Sequence, residues 1–283
     1  MREHIMGTQV FLAGLVPSDA ATVFAWLRRV ERTFSRFLGD SDTGRVNGGG
    51  AVEVSELFLV ALAEAVRHQE GTGGLFSPWL AADMARIGYT PADPRAAVAR
   101  TSGQPQAEID FDRRTVRLRG GLGVDLGGFV KGWSVQRAAD ALRSQGVGRG
   151  LIDAGGDLAC WRSPSDPPWR IGVEHPLGGT PVATLEPPAG LTAVATSSVV
   201  RRSWDDEGGR RMHHLIDPRT GLPSASDCLQ ATVVTADLAS AEVYAKCVVI
   251  LGTAAGPAWL ASRDPSARWI TVDRDGTATE GGP

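Results

Sequence analysis

The segment Asp125-Leu126-Gly127-Gly128-Phe129-Val130-Lys131-Gly132-Trp133 combines glycines with a lysine at what reads as a strand-to-helix turn. Glycines there let backbone N–H groups approach an anion closely, and a helix N-terminus adds favourable partial charge. Lys131 in the first helical turn could then neutralise a phosphate. Close packing of helix on strand calls for the same glycines, so on this segment alone both readings stand. Two familiar glycine motifs are excluded. Gly121, Gly123 and Gly127 give the wrong dinucleotide spacing and precede the strand, and no Gly-Lys-Ser/Thr follows a glycine at Walker spacing.

Three further segments could carry chemistry. In Asp153-Ala154-Gly155-Gly156-Asp157, paired glycines between apolar stretches mark a close approach of backbone or ligand, and turn formation explains both aspartates equally well. His214 stands just before Asp217-Pro218-Arg219-Thr220-Gly221, which has the grammar of a β-turn; an imidazole in such a place can accept a proton near neutrality. Glu242 and Lys246 are spaced i, i+4, the favourable orientation for a helical ion pair. The apolar Cys247–Leu251 run that follows points to a buried helix. Of 29 Lys plus Arg residues only Lys131 and Lys246 are lysines. A compact, rotatable ammonium does work that a planar guanidinium cannot, so lysine at these two positions is informative.

The elements that must hold these residues follow from periodicity. Helices are expected over Asp19–Phe37 with Ser18 as cap, Ser55–Gln69, from Ser77-Pro78 to near Gly88, Ser134–Gln145 and Ala239–Leu251. Strands are expected at Ile109–Phe111 and Thr115–Leu118 as a hairpin, then Gly150–Ala154, Leu158–Arg162, Arg170–Glu174, Ala193–Ser197, Met212–Ile216, Ala231–Ala236 and Trp269–Asp273. Short strands with a few helices, without regular alternation, predict an α+β fold. The 283 residues are read as one domain with a seam near 90–107 and a frayed tail at 276–283.

With 42% hydrophobic and 22% charged residues, the composition excludes a disordered chain. A net charge of -3 gives no sequence-wide attraction to nucleic acid. No apolar run approaches the ~20 residues of a membrane helix, and Met1–Thr8 lacks a basic-then-apolar leader, so a cytoplasmic location is expected. Cys160, Cys228 and Cys247 are too scattered for a disulfide framework and read as buried thiols. The tryptophans other than Trp133 read as core or rim packing.

Taken in order, the segments resemble the ApbE family, the FAD:protein FMN transferases. The similarity runs from Met6-Gly7-Thr8 through Ser35-Arg36-Phe37, Arg45-Val46-Asn47 and Gly74-Leu75-Phe76-Ser77-Pro78 to Asp125–Trp133, Asp153–Asp157, Ala195–Ser198 and His214–Gly221. It implies a T-fold-like architecture of mixed and antiparallel sheets with packed helices, and an enzyme that splits FAD, passes FMN to a Ser or Thr hydroxyl of an acceptor protein and releases AMP. By resemblance, Met6, Phe37, Leu75, Phe76, Ser77, Asp125, Lys131 and Ile216 form the flavin nucleotide site, and His214 assists proton removal from the acceptor.

The family's Mg²⁺ positions fall here on backbone near Gly128 and Ala239 and on the side chains Glu242 and Lys246. The last two replace Asp and Thr, and Ser77 replaces an Asp. Lys246 has no lone pair to offer a metal while protonated, so its ammonium is expected to stand in for the ion. The alternatives are a non-catalytic FAD-binding protein and an FAD pyrophosphatase that uses water as acceptor.

Overall fold

A computed structural model describes residues 1–89, 106–206 and 208–283. Its helices are α1 (Pro17–Phe34), α2 (Asp42–Asn47), α3 (Glu56–Gly71), α4 (Ala81–Arg86), α5 (Val130–Ser144) and α6 (Leu238–Arg263). By its internal contacts the chain divides into two units, each assembled from separated stretches. The first comprises Met1–Arg28, Lys131–Arg202 and Ser224–Pro283, and the second comprises Arg29–Val130 and Ser203–Pro223. The seam expected near 90–107 lies almost wholly outside the described residues. The exchanges between units fall elsewhere, the first of them within α1.

The short strands expected in the second half of the chain form the middle of an eight-stranded antiparallel sheet in the first unit. Its order is Arg2–Ile5, Thr8–Ala13, Gly150–Ala154, Asp157–Arg162, Gly190–Ser198, Cys228–Thr235, Arg268–Asp273 and Ala278–Gly281. One face carries Leu151, Leu158, Cys160, Val194 and Ile270, covered by Val173 and Leu185 of a small hairpin. In the paired central strands, Ala159, Ala193, Ala195, Ala231 and Val233 share the other face, where α6 packs. Small side chains there let the helix come close. Burial on both faces explains why these strands are nearly continuous apolar runs rather than strict alternations.

Helix α6 joins two helical segments at Gly252, whose φ of 91° and ψ of 174° are not helical. Asp227 fixes the break, its Oδ1 accepting from the Thr253 N–H at 2.9 Å and its Oδ2 from the Thr253 hydroxyl at 2.5 Å. By length and composition alone α6 could cross a membrane, beyond what the Cys247–Leu251 run suggests, but most of its most apolar stretch is buried inside the fold.

The second unit holds a three-stranded antiparallel sheet ordered Ala51–Glu53, Thr115–Arg119, Gln106–Asp110, with α3 capped by the Ser55 hydroxyl. Two short hairpins follow, Ser203–Asp205 with Arg211–His213 and Ile216–Asp217 with Leu222–Pro223.

Three local expectations are corrected. Helix α1 opens on Pro17, whose fixed φ suits a first helical position, so Ser18 lies inside the first turn and is not the cap. The single strand Met212–Ile216 is two strands interrupted at His214 and Leu215. The tail expected to fray over 276–283 instead supplies the edge strand Ala278–Gly281. The Asp273 carboxylate accepts from the N–H groups of Asp275 and Thr277 at 2.9 and 2.8 Å and folds the chain back.

All three cysteines are buried. Burial pushes the Cys160 and Cys228 thiols up to about 12 and Cys247 higher still. None has thiolate character near neutrality, so a disulfide-exchange reagent at pH 8 should label no cysteine in the native chain and three in denaturant. Fast labelling of a native cysteine contradicts this packing.

Candidate active site

In the first unit the chemistry gathers where α5 and α6 begin. Asp237 caps α6, its carboxylate accepting from the Ser240 N–H at 2.7 Å. Glu242, one turn in, is only 2% exposed. Its Oε2 accepts from the Gly132 N–H at 2.7 Å, and its Oε1 from Lys246 Nζ at 3.1 Å. Lys246 also donates to the Glu242 carbonyl at 3.2 Å. The close approach of α5 requires glycine: a Cβ at Gly132 would stand 2.8 Å from the Leu238 carbonyl and 2.9 Å from Glu242 Oε2. Burial alone would raise the Glu242 pKa, but the Lys246 and Lys131 ammonium groups and the Gly132 N–H outweigh it and hold it low.

Lys131 forms an ion pair with Asp157, at the start of the sheet strand that follows the Gly155-Gly156 turn. Burial pulls its pKa down to about 8; Glu242 opposes the shift, and Lys246 and Arg202 reinforce it. Asp153 does different work, accepting from the Gly156 N–H at 2.8 Å to close the turn. Burial raises its pKa against that bond and the Lys131 charge. A Cβ at Gly155, where φ is +71°, would overlap Thr8. The Met-Gly-Thr segment is therefore held against the Asp153–Asp157 turn. Met6 and Gly7 form the two-residue turn of the first hairpin, both with positive φ (56° and 66°).

The second unit builds its own cluster around Asp125. Asn47 pairs with the backbone of Val124 in both directions, each bond 2.8 Å. The Asp125 N–H donates to the Pro78 carbonyl at 2.8 Å. Its Oδ1 accepts from the Gly127 N–H at 2.8 Å, and its Oδ2 from Arg36 at 2.9 Å, with both side chains of that ion pair buried. The Arg36 guanidinium also lies over the rings of Phe37 and Tyr89, 4.9 and 4.4 Å from their centroids. Phe37 is 49% exposed. Tyr89 stacks on Trp204 at 5.2 Å and tilts toward His214 at 6.4 Å. Ile216 packs with Ile87 and Met212, while Leu75, Phe76 and Ser77 are buried, Phe76 against Phe129. The Asp217–Gly221 turn docks on α4 through a bond from Arg86 to the Gly221 carbonyl at 2.5 Å.

Within the first unit, Lys131, Glu242 and Lys246 therefore meet, with Met6-Gly7-Thr8 at the neighbouring turn. Within the second, Phe37, Asp125 and His214 surround an Arg36–Tyr89–Trp204 core, with Ile216 packed below Tyr89 and Trp204. Gly128 lies in the turn before α5 and Ala239 in the first turn of α6. Sequence reasoning did not find Tyr89 or the Arg36–Asp125 pair, and it took Trp204 for plain packing. Ser35-Arg36-Phe37 was visible as a motif, but its partner is 89 residues away.

A model of the ApbE family matches residues 6–270. The chain belongs to the ApbE family. It is 31% identical to the FAD:protein FMN transferase of Klebsiella pneumoniae over 96% of this chain and 88% of that one. A second ApbE relative, the FAD:protein FMN transferase of Vibrio cholerae, is 30% identical over 82% and 73%. Among solved structures, the ApbE protein of Thermotoga maritima superposes with a TM-score of 0.83 at 24% identity, covering 99% of this chain and 96% of that one. The flavin transferase ApbE from Vibrio cholerae gives 0.78 at 24%, covering 100% and 96%. These likenesses agree with the α+β fold described above.

The ApbE resemblance assigns Mg²⁺ to the Glu242 and Lys246 positions, and the residues present do not fit it. Both Glu242 oxygens already accept from N–H donors, and the neighbouring position holds an ammonium. Among the described residues no group of three or more His, Cys, Asp or Glu side chains is placed to hold a metal ion.

Two outcomes test this geometry. Arg36→Ala should destabilise the chain by about 3–5 kcal/mol in urea melts, because it strands a buried carboxylate, and adding Asp125→Ala should return part of the loss. Additive losses would deny the pairing. Arg219 hydrogen bonds hold the Asp217 carboxyl below its usual range. That stabilisation is full above about pH 4 and fades as pH falls through the depressed value. Arg219 is 55% exposed, so the effect should be below ~1 kcal/mol. Asp217→Asn should flatten the acid limb of stability against pH by that amount.

Proposed function

We propose that this chain is a FAD:protein FMN transferase acting on a Ser or Thr hydroxyl of an acceptor protein. The observation that carries the reading is the match, over nearly the full length of both chains, to a relative of that name. The chemistry of the residues supports it. Phosphoryl transfer is mainly positioning and charge stabilisation, and two largely buried ammonium groups, Lys131 in the first turn of α5 and Lys246 within α6, are suited to a phosphate ester. Exposed Phe37 beside the Arg36–Tyr89–Trp204 stack offers ring surface to an isoalloxazine or adenine.

In this reading the acceptor oxygen attacks the FMN phosphorus of FAD and a new P–O ester bond forms. The bond from that phosphorus to the bridging oxygen breaks, and the oxygen leaves with AMP. The hydroxyl proton passes to His214, since a neutral hydroxyl is a poor nucleophile without a base. In the first unit, Lys131 contributes to nucleotide binding beside the Met6 turn; in the second, Asp125 contributes through the Arg36 it anchors, with Leu75, Phe76, Ser77 and Ile216 packed around that cluster.

Purified protein incubated with FAD and a Ser/Thr acceptor peptide should release AMP and load flavin on the peptide in equal amounts. His214→Ala should lower the turnover rate by about 10²–10⁴-fold while FAD binding persists. Bound FAD without AMP under all conditions would make the chain a flavin-binding protein. AMP with free FMN and unlabelled peptide would make it a pyrophosphatase.

A further inference from the structure

The Glu242–Lys246 pair has the spacing of an ordinary surface ion pair but not its surroundings. Glu242 is 2% exposed and Lys246 16%, and the Lys131 ammonium lies close enough to help hold the Glu242 carboxyl low. A carboxylate that ligates a divalent ion must turn free lone pairs toward it. Here Oε1 faces Lys246 and Oε2 faces the Gly132 N–H, with α5 packed so tightly that no side chain fits at 132. An incoming cation would meet the Lys246 ammonium directly and displace a buried bond. Lys246 spends two donors on Glu242, and its third N–H bonds to none of the described residues. The carboxylate thus fixes the ammonium and leaves one donor for something else. Lysine is the residue for such a task, because a guanidinium fork cannot rotate a single donor outward. This chain otherwise uses arginine throughout, and keeps its two lysines at this one place.

We propose that Lys246, clamped by Glu242, supplies the positive charge to a phosphate of the nucleotide and that the chain binds FAD without a divalent metal. The identity of the phosphate ester rests on the transferase reading; the metal-free charge does not. Glu242 is then a positioning residue, and the bond-making and bond-breaking steps are those given above with no ion in them.

The test uses the intact chain and two probes. Mn²⁺ alone, followed by its free EPR signal, should show no stoichiometric binding by the wild type, either without flavin or with FAD after correction for FAD's own Mn²⁺ binding. FAD affinity, followed by flavin fluorescence, should be the same within about twofold in EDTA and in MgCl₂. Lys246→Gln should weaken FAD binding in EDTA by at least about tenfold, the usual loss of a charged hydrogen bond. Lys246→Thr should also weaken it in EDTA and recover with Mg²⁺. One Mn²⁺ bound per wild-type chain, FAD binding that needs Mg²⁺, or a Lys246→Gln variant with undiminished affinity would each overturn the proposal. Should either variant fail to fold by circular dichroism, the two wild-type measurements still decide it. FAD bound equally in EDTA with no AMP ever formed would end the transferase reading alone, and AMP formed only with Mg²⁺ would end this proposal alone.

Discussion

The Glu242 carboxylate is the group on which the first unit's chemistry depends. It is buried, it is charged, and it is held by donors from two helices, the Gly132 N–H of α5 and the Lys246 ammonium of α6. A buried charge is tolerated only when paired and hydrogen-bonded, so this carboxylate constrains what each helix may carry beside it. Glycine at 132 and lysine at 246 are answers to that one demand. The sheet strand that starts at Asp157 is drawn into the same arrangement through Lys131.

The second unit solves a similar problem with different residues. Asp125 is largely removed from water, so its charge must be paired, and Arg36 neutralises it while the Gly127 N–H donates to the other oxygen. Asn47 holds the preceding residue as a neighbouring strand would. The side chains spent on bracing the backbone leave the π faces of Phe37, Tyr89 and Trp204 as the material around the arginine. In both units an aspartate or glutamate fixes a cation, and the fixed cation orders what surrounds it.

How far this was legible in the sequence varied with the range of the interactions. Glu242 and Lys246 are one helical turn apart, so spacing alone revealed them. Gly150–Ala154 and the first segment of α6 followed from apolar patterning. The second segment of α6 did not, because the expected helix ends at Leu251, just before the non-helical Gly252, and the Asp227 bond to Thr253 beyond that break comes from far along the sequence. The resemblance places Asp125 in the nucleotide site, and its two oxygens also accept from Arg36 and the Gly127 N–H; nothing in local spacing announces a partner in Arg36. The Lys131–Asp157 pair is hidden for the same reason. Tyr89 borders residues 90–105, which lie outside the described part of the chain, and gave no periodic signal of its own.

The Thr8–Ala13 strand pairs on one side with its own hairpin partner and on the other with Gly150–Ala154. On a ribosome the hairpin therefore emerges long before the strand that completes its bonding. At roughly 5–20 residues per second, the wait lasts on the order of ten seconds or more. During that interval the open flank of Thr8–Ala13 is an unsatisfied edge, able to pair with a stranger. Closure of that edge thus waits on residues more than a hundred positions further along the chain.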